Sequence, residues 1–278
     1  MAEPALEQIR HVRMLDLDVE IACHEAAAGA AIGALLETFA VTTRRDTSAR
    51  RYSVAHDRGC WALVCAGETV ARCSSAASIA SALLVELNRA AIDAFRGFAV
   101  HAGVVATNGA AIAWPGASGT GKSTLAAACT TAGFEYVSDE ALCVDPATTS
   151  VIPYPKPITL DRSGWARVGS GDACDRGIDD GDEVMMPADR LPMPVARSPL
   201  RLAHVVELAR GDGPARLVER TRQDGLAQLL RMSFNHYKDP RTSFELASKL
   251  AAGSRVWTLE YSDPREAARL MRVELAGR

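Results

Sequence analysis

One stretch constrains this chain more than any other: Gly116-Ala117-Ser118-Gly119-Thr120-Gly121-Lys122-Ser123, followed by Thr124. It fits G-x-x-x-x-G-K-[ST], the phosphate-binding P-loop. Glycines let the backbone curl so that several N–H groups point at one anion. The positive end of the following helix adds to the attraction. At this spacing Lys122 is expected to reach the β- and γ-phosphates of a nucleotide, and the Ser123 hydroxyl to ligate Mg²⁺. The flanks agree. Ala110-Ala111-Ile112-Ala113-Trp114 is a short apolar run, as expected of a buried strand. The run from Thr124 to Cys129 is a good helix beginning, with no Pro or Gly before Gly133.

The rest of the chain is compatible with an α/β protein around that loop. It has 278 residues, enough for one large domain or two smaller ones. Hydrophobic residues make up 48% and charged ones 23%, an ordinary globular balance. A net charge of −3 gives no reason to expect nucleic acid or an anionic membrane as partner. No apolar run approaches the ~20 residues of a membrane span. Seven cysteines are present, with no C-x-x-C and no zinc-finger spacing to histidine. They read as small buried hydrophobes. Their odd number, without a signal-peptide pattern, fits a reducing cytoplasm.

Residues 1–95 read as a small α+β module, and 96–278 as the domain built around the P-loop. Residues 12–21 alternate apolar and acidic positions, which predicts one half-buried strand. Residues 26–39 predict a helix, although Gly29 and Gly33 argue against a single one. Residues 43–51 are expected as a loop. Three short strands follow at 51–55, 60–65 and 68–73, with Ala66-Gly67 as a hairpin turn. Residues 75–95 carry a 3.6-residue apolar stripe, hence a helix capped by Ser74 or Ser75.

From Phe98 to Ala106 the chain is strand-like, and Asn108-Gly109 is a turn signal into the strand before the glycine loop. Phe134-Glu135-Tyr136-Val137-Ser138-Asp139-Glu140 is a strand ending in two acids, where a nucleotide enzyme keeps metal or base carboxylates. Alternate prolines at 153–157 allow an edge strand or an extended loop. Residues 166–183, dense in Gly and Asp, predict a mobile surface loop without EF-hand spacing. A central strand is expected at 202–208, helices at 224–233 and 242–250, and a last strand at 256–261. The terminal helix starts at Pro264 behind an Asp263 cap. Arg197, Arg201, Arg231, Lys238 and Arg241 are candidate phosphate contacts. Asn235-His236-Tyr237-Lys238 is a polar-aromatic cluster that could line a site.

The block Val100-His101-Ala102-Gly103-Val104, the glycine loop, and Gly133 through Asp139-Glu140 together resemble the catalytic domain of HPr kinase/phosphorylase. Order and separations match over residues 98–145. The resemblance implies a P-loop core like that of ATP-dependent phosphoenolpyruvate carboxykinase, on a mixed, curved sheet. It implies transfer of the γ-phosphate of ATP to a serine hydroxyl of a protein or peptide. Carried over, Asp139 is the base toward the hydroxyl, and His101 lies near the phosphates. Lys122 and Ser123 are the loop lysine and hydroxyl, and Glu140 is a candidate for Mg²⁺ or its water shell. The family forms oligomers, so self-association is a further expectation.

The chain also departs from the family. Thr124 stands where Glu is usual, and the acid pair is Asp-Glu. The Glu-x-Arg-Gly segment is absent, with Pro155-Lys156-Pro157 in roughly that region. Phosphorolysis and HPr as substrate are therefore not carried over. Divergent relatives include kinases that phosphorylate a peptide serine in peptide natural-product maturation, lasso-peptide tailoring kinases among them. A P-loop kinase of a small-molecule hydroxyl, and a nucleotide-binding regulatory ATPase, are the alternatives. No L-S-G-G-Q-like segment follows the loop, which argues against an ABC-type ATPase.

Overall fold

The computed structural model describes residues 8–41, 49–57 and 59–276. The chain is a mixed α/β protein that divides into two compact units. One comprises Met1–Phe95 with Asp172–Pro187, the other Arg96–Gly171 with Ala188–Arg278.

In the first unit, β1 (Gln8–Met14) and β2 (Leu17–Cys23) form an antiparallel hairpin. The single strand expected at 12–21 is thus two. Leu15 takes φ 55°, and Met14 pairs with Leu17, so the chain reverses without the Gly or Asn that usually signals it. Helix α1 (Ala26–Leu36) runs unbroken through Gly29 and Gly33. Those glycines seat a side chain. The Arg10 guanidinium lies where a Cβ on Gly33 would be, and donates to the Gly29 carbonyl at 3.5 Å.

Next come β3 (Ala40–Val41), β4 (Arg50–Asp57), β5 (Cys60–Cys65), β6 (Glu68–Cys73) and α2 (Ala76–Ala94). Of the loop expected at 43–51, residues 43–48 lie outside the described residues, and Arg50 and Arg51 already belong to β4. Ala66 and Gly67 have φ 53° and 84°, the left-handed pair a tight hairpin needs. Ser75 caps α2 by accepting the Ser78 N–H at 3.0 Å. The sheet order is β3-β1-β2-β4-β5-β6, with β2 and β4 parallel. Ile32, Leu35 and Leu36 of α1 meet Leu83, Leu84 and Leu87 of α2 in an apolar seam.

The second unit begins with β7 (Phe98–Thr107) and β8 (Ala110–Pro115), joined by Asn108-Gly109 at positive φ. Then follow α3 (Lys122–Thr131), β9 (Glu135–Ser138), β10 (Ala141–Val144), β11 (Val151–Ile152), β12 (Ile158–Asp161) and α4 (Arg162–Val168). Between them and the rest of this unit, the chain gives the first unit α5 (Ala173–Arg176), β13 (Ile178–Asp179) and β14 (Glu183–Met186). The loop expected at 166–183 is therefore largely short elements. Its Asp and Gly residues serve local turns: Asp180 Oδ1 accepts the N–H groups of Asp182 and Glu183, and Gly181 has φ 105°.

The second unit resumes with β15 (Arg201–Arg210), β16 (Arg216–Arg220), α6 (Arg222–Arg231), α7 (Pro240–Gly253), β17 (Arg255–Tyr261) and α8 (Pro264–Leu275). Its sheet runs β11-β10-β7-β8-β15-β17-β16, and β9 also pairs with β7. The run β8-β15-β17 is parallel and the other pairs are antiparallel. Leu229 of α6 and Leu246 and Leu250 of α7 close a core with Val100, Val104 and Val205. Asp263 caps α8 by accepting the Arg265 N–H at 2.7 Å. The cysteines described are free thiols, and Cys23, Cys65, Cys129 and Cys143 are buried. Among the described residues no helix is long and apolar enough to cross a membrane.

Candidate functional site

The glycine loop sits between β8 and α3, at the carboxyl end of the parallel strand run. Residues 117–120 are exposed, so the loop is open to solvent. Gly119 and Gly121 hold φ 78° and 91°, a region L side chains rarely adopt. Gly116 is tight for a different reason: an added Cβ would lie 2.9 Å from Thr120 Oγ1. That hydroxyl donates to the Ala117 carbonyl at 2.8 Å, and Lys122 Nζ donates to the same oxygen at 2.8 Å. The loop is thus folded around its own lysine. Helix α3 begins on Gly121 with no side-chain cap, which leaves its first N–H groups to face the loop.

His101 is tied to the loop from below. Its carbonyl accepts the Gly116 N–H at 3.0 Å, and its own N–H donates to the Met232 carbonyl at 2.8 Å. Its Nε2 lies 3.9 Å from Glu140 Oε1, and its ring centroid is 5.1 Å from that of Phe234. Burial pushes the imidazole pKa down to about 4. Lys122 and Lys156 push the same way, and Asp139 opposes them. Lys122 is itself only 5% exposed. Burial lowers its pKa, and Glu140 and Asp139 partly restore it. His101, Lys122, Asp139 and Glu140 thus lie near enough to influence one another's charge.

Two residues of this cluster were not anticipated. Lys156 Nζ lies 3.1 Å from Asp139 Oδ1, with both side chains nearly buried. The Tyr136 phenol oxygen accepts the Asp139 N–H at 3.0 Å. It stands 2.9 Å from Asp139 Oδ1 and 2.8 Å from the Lys156 carbonyl, either of which takes its proton. Burial, then Asp139, raises the Tyr136 pKa well above the ordinary phenol value, so the proton stays on. The prolines around Lys156 were the only trace of this in the sequence.

Beside the loop lies a cavity of about 510 Å³ at the carboxyl ends of β15 and β17. Gly119, Thr120, Gly121 and Thr124 form one wall, and Arg167, Arg210, Asp212 and Tyr261 face it. Tyr261 Oη would lie 3.3 Å from a Cβ on Gly121. The arginines singled out from sequence do not line this cavity. Arg197, Arg201 and Arg231 are exposed, as is Lys238, and Arg241 pairs with Glu245 at 3.1 Å. Asn235 is buried. It clamps the start of β7, accepting the Ala99 N–H at 3.0 Å and donating to the Gly97 carbonyl at 2.8 Å. His236 and Tyr237 are exposed.

Among the described residues no group of three or more His, Cys, Asp or Glu is arranged to hold a metal ion. Ser123 and Glu140 offer a hydroxyl and a carboxylate. These are hard oxygen donors of the kind Mg²⁺ takes in small number from protein, with phosphate and water completing its shell. No protein-family model and no curated protein matches the chain.

Proposed function

We propose that this protein is an ATP-dependent kinase that transfers the γ-phosphate to a serine hydroxyl of a protein or peptide, on a P-loop core of the HPr kinase type. One observation carries the reading. A buried lysine folded into a glycine loop at a helix N-terminus shares its surroundings with a carboxylate fixed at a neighbouring strand end. Phosphoryl transfer asks for little else: positioning and charge neutralisation supply most of the catalysis.

In this reading the amides of residues 116–123 and Lys122 hold the phosphates, with Thr124 at the same helix start. The adjoining cavity seats the base and ribose. Its volume suits a nucleoside, since small-molecule pockets span roughly 300–1,000 Å³, and sheets of this kind bind ligands at strand carboxyl ends. Ser123 and Glu140 would hold Mg²⁺, which supplies charge neutralisation at the phosphates. Asp139 takes the serine proton as the new P–O bond forms. The bond to the β-phosphate breaks, and its electron pair leaves on ADP. Neutral His101 donates a hydrogen bond to the γ-phosphate from the loop's floor.

The test is intact-mass spectrometry of a serine-peptide library incubated with the protein and MgATP. One phosphate on a hydroxyl peptide, absent with Lys122→Ala and with Asp139→Asn, is the expected result. Phosphorylated small hydroxyl compounds and unmodified peptides would move the acceptor to a metabolite. ADP formation without any phosphorylated acceptor would make the protein a nucleotide-dependent regulator.

A further inference from the structure

Asp139 is gripped on one side only. Its Oδ1 takes both Lys156 Nζ, at 3.1 Å, and the Tyr136 phenol, at 2.9 Å. Among the described residues no hydrogen bond falls on Oδ2, and Oδ1 is the oxygen nearer to Lys156 Nζ. The same phenol holds the Asp139 main chain through its N–H. Both the backbone and one carboxylate oxygen are therefore fixed, and the second oxygen is available.

Lys156 is held just as firmly. It lies between Pro155 and Pro157, whose rings restrict φ and remove two N–H groups from the strap. The strap is tied down where Tyr154 N–H donates to the Val137 carbonyl at 3.2 Å and Lys156 N–H to the Tyr154 carbonyl at 3.0 Å. Lys156 Nζ also donates to the Pro157 carbonyl at 3.0 Å. With 9% of the Lys156 side chain and 2% of the Asp139 side chain exposed, both charges are taken out of water. Apolar residues in place of such a pair are often as stable or more so, which makes stability a poor reason for its presence.

We propose that Lys156 is a positioning residue for phosphoryl transfer: with Tyr136 it holds Asp139 by Oδ1 and turns Oδ2 toward the acceptor hydroxyl. This rests on the kinase reading above. The acceptor proton passes to Oδ2 while its oxygen bonds to the γ-phosphorus. The bridging bond breaks toward ADP, and Oδ1 keeps its two partners throughout.

The experiment follows ADP release from MgATP by the full chain, with water as acceptor, in Lys156→Met, Lys156→Arg, Tyr136→Phe and Lys122→Ala. Lys156→Met is expected to lower kcat by about 100-fold, the usual cost of a reacting group displaced by about 1 Å, with KM for ATP little changed. Lys156→Arg restores part of the rate, and Tyr136→Phe loses less than Lys156→Met. A merely structural Lys156 would change the thermal midpoint or KM and leave kcat in place, and that result overturns the proposal. If Lys156→Met does not fold, wild-type kcat in both Lys156→Arg and Tyr136→Phe overturns it equally. Wild-type turnover abolished by Lys122→Ala but unaffected at Lys156 sinks this inference and spares the kinase reading. No turnover by the wild-type protein, either with water or with any serine peptide as acceptor, sinks both.

Discussion

Gly103 and Trp114 stand opposite each other in the β7–β8 ladder, and the indole occupies the place of the Cβ that Gly103 lacks. Trp114 is fully buried, and its Nε1–H donates to the Lys122 carbonyl at 3.3 Å. A glycine in one strand thereby sets the first residue of α3 through a single ring. Gly103→Ala forces the indole to move, and overpacking of this kind costs about 1–3 kcal/mol. We expect that loss in urea unfolding. We also expect weaker MgATP binding by calorimetry under conditions where the variant is fully folded, because Lys122 moves with the ring. Destabilisation with unchanged binding would show that Trp114 and Lys122 are uncoupled.

Gly119 and Gly121 carry similar positive φ angles but different surroundings. Nothing lies within 4 Å of a Cβ on Gly119, whereas one on Gly121 would meet Tyr261 Oη at 3.3 Å. Alanine at either position bears a left-handed backbone cost of roughly 1–2 kcal/mol. Gly121→Ala adds crowding at the cavity wall, so it should weaken MgATP binding more. Tyr261→Phe removes the crowding atom. It should relieve Gly121→Ala in part and leave Gly119→Ala as it was, a coupling that a double-mutant cycle measures directly. Equal behaviour in the two backgrounds would place Tyr261 away from the bound nucleotide.

Much of this architecture was legible locally. The apolar run at 110–114, the glycine loop and the Ala-rich helix announce themselves in consecutive residues, and Asp139-Glu140 follows from the same short segment. Strand β15 was legible as a central strand because its two-sided burial writes a continuous apolar run. The hairpin at Leu15-Asp16 was not, since a non-glycine residue adopts the left-handed turn there. Gly29 and Gly33 misled for a related reason: their role is room for Arg10, which comes from another strand. Tyr136 reaches Asp139 from three residues away, but Lys156 joins them through the 153–157 strap, which Tyr154 N–H ties to the Val137 carbonyl of β9. No spacing rule encodes a contact made by tertiary packing across 17 residues. Arg167 and Arg210 were not singled out from sequence because cavity walls assembled from four chain segments leave no local pattern.

His101 gives a pH prediction with a definite sign. Burial is the larger cause of its depressed pKa, and Lys122 the next. The folded protein keeps the imidazole neutral down to about pH 4, while the unfolded chain binds a proton near the ordinary value of about 6.5. This group therefore lowers stability progressively as pH falls from about 6.5 towards 4. A ring-proton NMR titration should find His101 still neutral at pH 5. Lys122→Ala should raise its pKa without returning it to the ordinary value, because the burial remains. Full recovery in that variant would show that charge, not burial, is the main cause.

The phenols act at the other end of the pH scale. Burial holds Tyr52 and Tyr261 up to about 12, and Tyr136 and Tyr154 well above the ordinary value of 10. Below pH 10 both folded and unfolded chains keep these protons, so the groups contribute no pH dependence. Between about 10 and 12 the unfolded chain loses them first. Unfolding then releases protons, and stability falls as pH rises through that window. Of the five tyrosines in the chain, these four should develop phenolate absorbance together with loss of near-UV circular dichroism, not before it. For Tyr136 the same fact bears on the site. A phenol that keeps its proton across the working pH range remains a donor to Asp139 or to the Lys156 carbonyl. Phenolate forming at four tyrosines near pH 10 in a protein that is still folded would mean that water reaches them, and the grip on Asp139 would then loosen at alkaline pH before the fold does.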